Sequence, residues 1–506
     1  MTQGGVARRG QSPAFLEDLG RLKRRKRLIK NHAWVFSANF FSATMLAAML
    51  LLAPPTSLAA GGGGGPVTGE GKIQEAPPNP PPDARFKTDL LVIVAHPDDE
   101  GVITGYLARA IFDEHKRVSV IYGTPGNGGG NAVSSAQAAA LGEIRMTEAR
   151  EALASFGILH VWFLGGSDTP GQDVLRSLET WGHGKALEET VRLVRLTRPE
   201  VIITWLPDYE AGENHDDHQA AGVIATEAFD LAADATAFPE QIAAPRQRQG
   251  IMNLTEGLLP WQPKKIYYFD YAINKEVLKG QGPEYTTTDM SPGKKEAYCK
   301  LAAEEVSYHS TQSGSGQVAQ QELETGDFSF FNGPVYLATG KSLVRGSTTG
   351  DVFEGIAPGP IPYVAARGYH PEARHGVSID LGGPWAFYRE FWRAHNLDHL
   401  ANIIKIPEVA LGNSADVNVP ILIHNDTDQA VEVNLTSALP AGWKEVYGSA
   451  RYPVRPHEAY PVETYYVASS TAKPEWQTLV WRAECQGQTV GTLTLRVLTD
   501  SPGLPQ

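Results

Sequence analysis

Four short apolar runs, LLVIVA (residues 90–95), VSVIY (118–122), LHVWFL (159–164) and VIITW (201–205), recur at intervals filled by helical patterns. That alternation allows few folds. Strands separated by helices pair in parallel, because each helix carries the chain back along the sheet before the next strand begins. The expectation is an α/β domain: a Rossmann-like parallel sheet flanked by helices on both faces. The intervening stretch GEIRMTEAREALASFG (142–157) places Ile144, Ala149, Ala152, Leu153 and Phe156 on one helical face and ends on Gly157, a favoured helix terminator. KALEETVRLVRLTRP (185–199) stops where Pro199 would stop it. KKIYYFDYA (264–272) predicts a further strand, and SPGKKEAYCKLAAEEVSYH (291–309) a closing helix.

A chain of 506 residues is too long for that one core. After residue 409 the period changes to two, in DVNVPILIHN (416–425), VEVNLTSA (431–438), TYYVASS (464–470), TLVWRAE (478–484) and TVGTLTLRVL (489–498). Such runs, separated by turn-forming residues, predict an all-β sandwich over 409–500. Between the two patterns, residues 313–408 are aromatic-rich and show no clear period, so they read as an irregular connecting region. The α/β domain is expected over 85–312.

Ahead of it, residues 61–84 are Gly- then Pro-rich and have little to bury, which predicts a tether. Residues 1–30 hold nine Lys or Arg against Glu17 and Asp18, and AWVFSANFFSATMLAAMLLLA (33–53) is uncharged. Pro54, Pro55 and the small residues SLAAGGGGG follow. This order predicts an export signal within residues 1–60 and a periplasmic or extracellular protein. The alternative is membrane anchoring by residues 33–53, whose length just suffices to span a bilayer. With its basic residues concentrated there, the rest of the chain is more acidic than the formal charge of −13, which excludes a nucleic-acid partner. Cys299 and Cys485 allow one disulfide at most.

In an open parallel sheet, ligands bind beyond the carboxyl ends of the strands. A polar cluster follows each of the four runs: HPDDE (96–100), TPGNGGG (124–130), GGSD (165–168) and PDYEAGENHDDHQAAG (207–222). Two of them carry metal-ligand chemistry. HPDDE offers one imidazole and up to three carboxylates, and HDDH offers His215 and His218. Imidazole nitrogen with carboxylate oxygen suits zinc, whose catalytic sites use three protein ligands and a water. Either motif alone also reads as a solvated loop or helix start; the two at strand ends of one sheet read as a single metal site.

AHPDDE after an apolar strand, the Gly-rich second loop, the helix EIRMTEAREALASFG and the late HDDH followed by QAAG together resemble the PIG-L/LmbE-type zinc-dependent N-deacetylases. The resemblance covers roughly residues 90–309. It implies that His96, Asp99 and His218 ligate Zn2+, that Asp98 is the general base, and that His215 stabilises the oxyanion. It also relates His309, in SYHSTQ, to a recurrent late histidine of the family; the residue either orients other groups or is a plain surface histidine. Asp217, between the two histidines, either orients an imidazole or caps a helix. Arg145 and Glu148 match polar positions of the family's helix and predict an internal salt bridge. The glycines of 124–130 either admit a sugar or form a flexible loop.

The implied activity is an exported zinc hydrolase that removes N-acetyl groups from N-acetylglucosamine-containing sugars or glycoconjugates. The alternatives are a zinc amidase acting on another N-acyl compound, and an inactive carbohydrate-binding surface protein. The almost 200 residues after His309 depart from the simplest family members, which are single domains. They resemble the accessory β-domains of glycan-active enzymes.

Overall fold

The computed structural model describes residues 83–499 apart from 170, 243–256, 412–415 and 469–474. The expected export signal, and the tether except for its last two residues, lie outside the described residues. Among the described residues, no helix is long and apolar enough to cross a membrane.

The α/β half includes, in chain order, β1 (Leu90–Val94), α1 (Thr104–Phe112), β2 (Val118–Tyr122), α2 (Ala139–Ser155) and β3 (Val161–Phe163). Next come α3 (Val174–Trp181), α4 (His183–Thr197), β4 (Val201–Trp205), α5 (Asp216–Leu231) and β5 (Lys265–Phe269). A short β6 (Glu284–Tyr285), α6 (Tyr298–Val306), α7 (Gly316–Thr325), β7 (Val335–Tyr336) and β8 (Ala338–Ser342) complete this half. The main sheet has the order β3-β2-β1-β4-β5-β8. Its strands are parallel through β5, and β8 closes the edge in the antiparallel sense.

Every residue of β1, β2, β4 and β5 is buried, as strands covered on both faces must be. The edge strand β3 is only half-buried and shorter than its apolar run. α1 and α2 pack with α6, and α3 and α4 with α5. Strand order reverses between β1 and β4. A crevice therefore opens at the carboxyl ends of these two neighbours.

Two helices differ from expectation. In α2, Ala149, Ala152 and Leu153 are buried, but Ile144 is only half-buried while Arg145 and Glu148 point inward. The closing helix α6 starts at Tyr298 rather than 291. Ser291-Pro292-Gly293 forms a turn instead, with Lys295 at φ 61.

The largest departure concerns residues 313–408. Besides α7, β7 and β8, they hold β9 (Val377–Leu381), α8 (Gly383–Ala394) and β10 (Glu408–Ala410). Strands of five residues or fewer offer too few alternations to reveal a period of two. β9 already belongs to the sandwich, pairing with the first long strand of that domain. α8 stands between the two halves: Tyr388, Phe391 and Trp392 join the α/β core, while Trp385 packs on the sandwich core.

The sandwich continues with β11 (Asp416–Asn425), β12 (Val431–Ala438), β13 (Lys444–Tyr447), β14 (Ala450–Val454), β15 (Glu458–Val467), β16 (Trp476–Cys485) and β17 (Gln488–Leu498). Its sheets run β10-β17-β16-β12-β14 and β13-β15-β11-β9. Val417, Val419, Ile421 and Ile423 alternate inward along β11, and buried Trp481 donates its Nε1–H to the Tyr466 hydroxyl at 2.6 Å. One member of this core comes from the other half. Tyr209, in the loop after β4, packs into it, and its hydroxyl accepts the Ala410 N–H at 2.7 Å. Cys299 and Cys485 are buried free thiols.

Candidate metal centre

The loops after β1 and β4 meet at the strand-order reversal. The Asp99 carboxylate is fixed on one side and open on the other. Its Oδ2 accepts N–H bonds from Ala95 (2.8 Å), His96 (2.9 Å) and the Trp205 indole (2.8 Å). Its Oδ1 lies 3.1 Å from His218 Nε2 and 3.6 Å from His96 Nδ1. Those two imidazole nitrogens are 3.1 Å apart. One oxygen and two nitrogens thus face one another.

The far side of each ring decides what those nitrogens carry. His96 Nε2 is 3.2 Å from Asp217 Oδ2, and His218 Nδ1 donates to the Glu213 carbonyl. An imidazole that gives its one N–H away turns a lone pair to the opposite side. With both rings neutral, three lone pairs converge, which is a donor set for a cation. Trp205 holds the His218 ring flat, stacked at 3.9 Å and 4°.

The electrostatics agree. Burial would raise Asp99, but His218 and His96 hold it well below the usual carboxylate range. Burial pushes His218 down to about 4, so its ring is neutral. Burial also opposes charge on His96, yet Asp217 and Asp99 outweigh it and raise the imidazole well above its ordinary value, so the field that attracts a cation also draws a proton, which the cation must displace. The face calls for positive charge, and nitrogen with carboxylate oxygen fits zinc.

The other expected residues surround this face. Asp98 sits beside Asp99 in a left-handed conformation (φ 99); its Oδ2 accepts the Ser315 hydroxyl, and burial pushes the carboxyl up to about 6. His215 heads α5 with 30% of its side chain exposed, and its Nδ1 is 3.2 Å from Asp216 Oδ1. Its ring centre lies 4.0 Å from that of His218 and 5.2 Å from that of His96. Asp217 does not cap the helix through its side chain. Besides His96, its Oδ2 meets the Thr169 N–H at 2.7 Å. His309 lies apart from the three-atom face, completely buried, with Nε2 3.0 Å from Glu100 Oε1. Glu100 is buried as well, as a partner of His309.

The glycine loop is clamped. Arg145 donates to the carbonyls of Gly126 (2.9 Å) and Gly130 (2.7 Å), and Asp168 Oδ2 accepts the Gly128 N–H at 2.6 Å. A Cβ on Gly128 would lie 2.7 Å from Asp168, and one on Gly129 would lie 2.6 Å from Arg145. The expected Arg145–Glu148 salt bridge does not form; Glu148 instead receives Ser310 and Thr311.

Trp205, Asp168, Thr169, Glu213 and Ser315 escape sequence reasoning as individual residues. The strand-end position marks Trp205 and Asp168, but nothing local marks Ser315. Asp217→Ala removes the acceptor that fixes His96, so it should weaken metal binding about 10–100-fold. A chelator titration of the variant checks this, and unchanged affinity would deny Asp217 that part.

Comparison with known proteins finds a family to which these loops are similar. Residues 91–229 match the model of PIG-L, GlcNAc-PI de-N-acetylase. The 1D-myo-inositol 2-acetamido-2-deoxy-alpha-D-glucopyranoside deacetylase 1 of Catenulispora acidiphila is 32% identical over 227 residues, covering 42% of this chain and 64% of its own. A deacetylase of the same description from Streptomyces avermitilis is 28% identical over 313 residues, covering 55% of this chain and 99% of its own. The N,N'-diacetylchitobiose deacetylase structure from Pyrococcus horikoshii aligns with 50% of this chain and 83% of its own at 16% identity. Its TM-score of 0.35 is too low to bear on the reading. The alignment with the Catenulispora relative spans less than two thirds of that protein. The match to the PIG-L family model includes both of these loops, and residues 91–229 are similar to that family.

Proposed function

We propose that this protein is a zinc-dependent hydrolase that removes the acetyl group from N-acetylated sugars of the N-acetylglucosamine type. The observation that carries the reading is the convergence of His96 Nδ1, Asp99 Oδ1 and His218 Nε2, with the opposite nitrogen of each ring already engaged. The substrate class is supported by the descriptions of the relatives, which name acetamido-sugar deacetylases.

When bound, zinc supplies an acidified water and a Lewis acid for the amide carbonyl. The chain supplies the rest. Asp98, ionised at neutral pH even with its raised pKa, takes the proton of the attacking water and passes one to the departing nitrogen. The C–N bond breaks, giving acetate and a free amine. His215, with Nδ1 held by Asp216, donates to the oxygen that gains charge as the carbonyl carbon becomes tetrahedral.

The test joins metal analysis to product analysis. The purified protein should hold about one zinc per chain, because three ligands and an open position describe one catalytic site. It should also release acetate from a panel of N-acetylated sugars and glycan oligomers. Acetate from other N-acyl compounds alone would favour the amidase alternative. Full zinc occupancy with no hydrolysis of any panel member would leave a binding protein.

A further inference from the structure

The segment that leaves α6 touches the HPDDE loop at three points. His309 pairs with Glu100 Oε1 at 3.0 Å, the Gln312 amide donates to the Pro97 carbonyl, and the Ser315 hydroxyl donates to Asp98. Glu100 passes the contact on, because its Oε2 accepts the Asp98 N–H at 3.2 Å. Asp98 needs such support: its φ of 99 lies where a side chain costs on the order of 1–3 kcal/mol.

The segment is itself held from behind. Ser310 Oγ, Thr311 N and Thr311 Oγ1 donate to Glu148 of α2 at 2.6, 3.1 and 2.7 Å. The Thr311 carbonyl accepts the Ala132 N–H at 2.9 Å. Gly316 sits so close to the His309 carbonyl that a Cβ there would overlap it. A segment tied to two other elements can transmit a position.

Two buried carboxyls, Glu100 and Glu305, surround His309. The Thr104 hydroxyl donates to the Glu100 carbonyl at 2.7 Å. The same hydroxyl lies 3.3 Å from Glu305 Oε2, toward which it also donates. Burial raises Glu305 to about 8. Burial alone would lower His309, but Glu100 outweighs it and the imidazole rises to about 9. The buried imidazole thus lies directly against the Glu100 carboxyl, the kind of pairing a buried charge requires.

We propose that His309 is a positioning residue for Asp98: through Glu100, and together with Gln312 and Ser315, it holds the HPDDE loop in the left-handed turn from which Asp98 acts. The inference rests on the proposed role of Asp98 as general base. It also gives the exit of α6 a function in the reaction, although it supplies no ligand to the metal face.

The test uses the full chain loaded with zinc. His309→Ala should lower kcat about 10–100-fold, the scale of an ångström-sized misplacement, with KM nearly unchanged and zinc still stoichiometric. His309→Gln keeps a donor of similar reach and should restore part of the loss. Gln312→Ala, at a half-buried position, should lower kcat in the same sense and decides the matter if His309→Ala does not fold. Normal kcat in the variants would overturn the inference, and so would zinc loss with unchanged turnover per bound zinc. Asp98→Asn separates the two levels: if it keeps full turnover, the base assignment fails; if it is inactive while His309→Ala is not, only the positioning role fails.

Discussion

Asp99→Ala should leave a chain that holds no zinc under dialysis and has no measurable deacetylase activity, whereas Asp98→Asn should keep its zinc and lose about 10²–10⁴-fold in turnover. The neighbouring carboxylates are expected to differ because their surroundings differ. Asp99 turns one oxygen to two imidazole nitrogens and anchors the other on three N–H groups. Removing it deletes a ligand and strands those donors, at about 1–3 kcal/mol for each that stays buried and unpaired. Asp98 makes its side-chain hydrogen bond to Ser315, which is not one of the three residues of that face. An amide there keeps the shape and cannot take a proton. Metal analysis and acetate release on both variants check the pair. Zinc loss from Asp98→Asn, with zinc retained in Asp99→Ala, would exchange their roles.

The part of this site that lies within single motifs could be read from the sequence. β1 is apolar at every position, so HPDDE had to lie at its carboxyl end, and the same reasoning put HDDH beyond β4. A doubly wound sheet then brings the loops together wherever its strand order reverses. The supports were not legible, because their partners lie far apart along the chain. Ser315 meets Asp98 across 217 residues, His309 meets Glu100 across 209, and Trp205 reads as one more strand residue until its indole is seen to reach Asp99. Arg145 and Glu148 stood out as polar positions of a helix, but the sequence suggested that they pair with each other. The sandwich was visible in strands of eight or more residues such as β11 and β12, whereas five-residue β9 was lost within a region without period.

Ending the chain at Asn396 should cost the protein its metal site as well as its sandwich. The cut would leave β9 without β11, the partner it pairs with from Val377 to Leu381, and Trp385 of α8 without the core it packs on. The damage should then reach the ligands. Tyr209 lies between β4 and the HDDH residues, and its side chain is buried in the sandwich with its hydroxyl on Ala410. Exposing it forfeits about 1.5–3 kcal/mol of apolar burial and about 1 kcal/mol for the hydrogen bond. On the other side of the same loop, the Tyr388 hydroxyl donates to Gln219 at 2.8 Å, and Gln219 donates to the Asn214 carbonyl at 2.8 Å. Once α8 loosens, His215 and His218 lose a support at each end of their segment. We therefore expect weak zinc retention, a lowered Tm and equal losses on a monomeric N-acetyl sugar and on a long glycan. A truncated chain that binds one zinc and turns over the small sugar normally would show that Tyr209 tolerates exposure. A loss confined to the long glycan would instead make the sandwich a substrate-binding module, since a tethered second contact raises the local concentration of substrate without altering the chemistry.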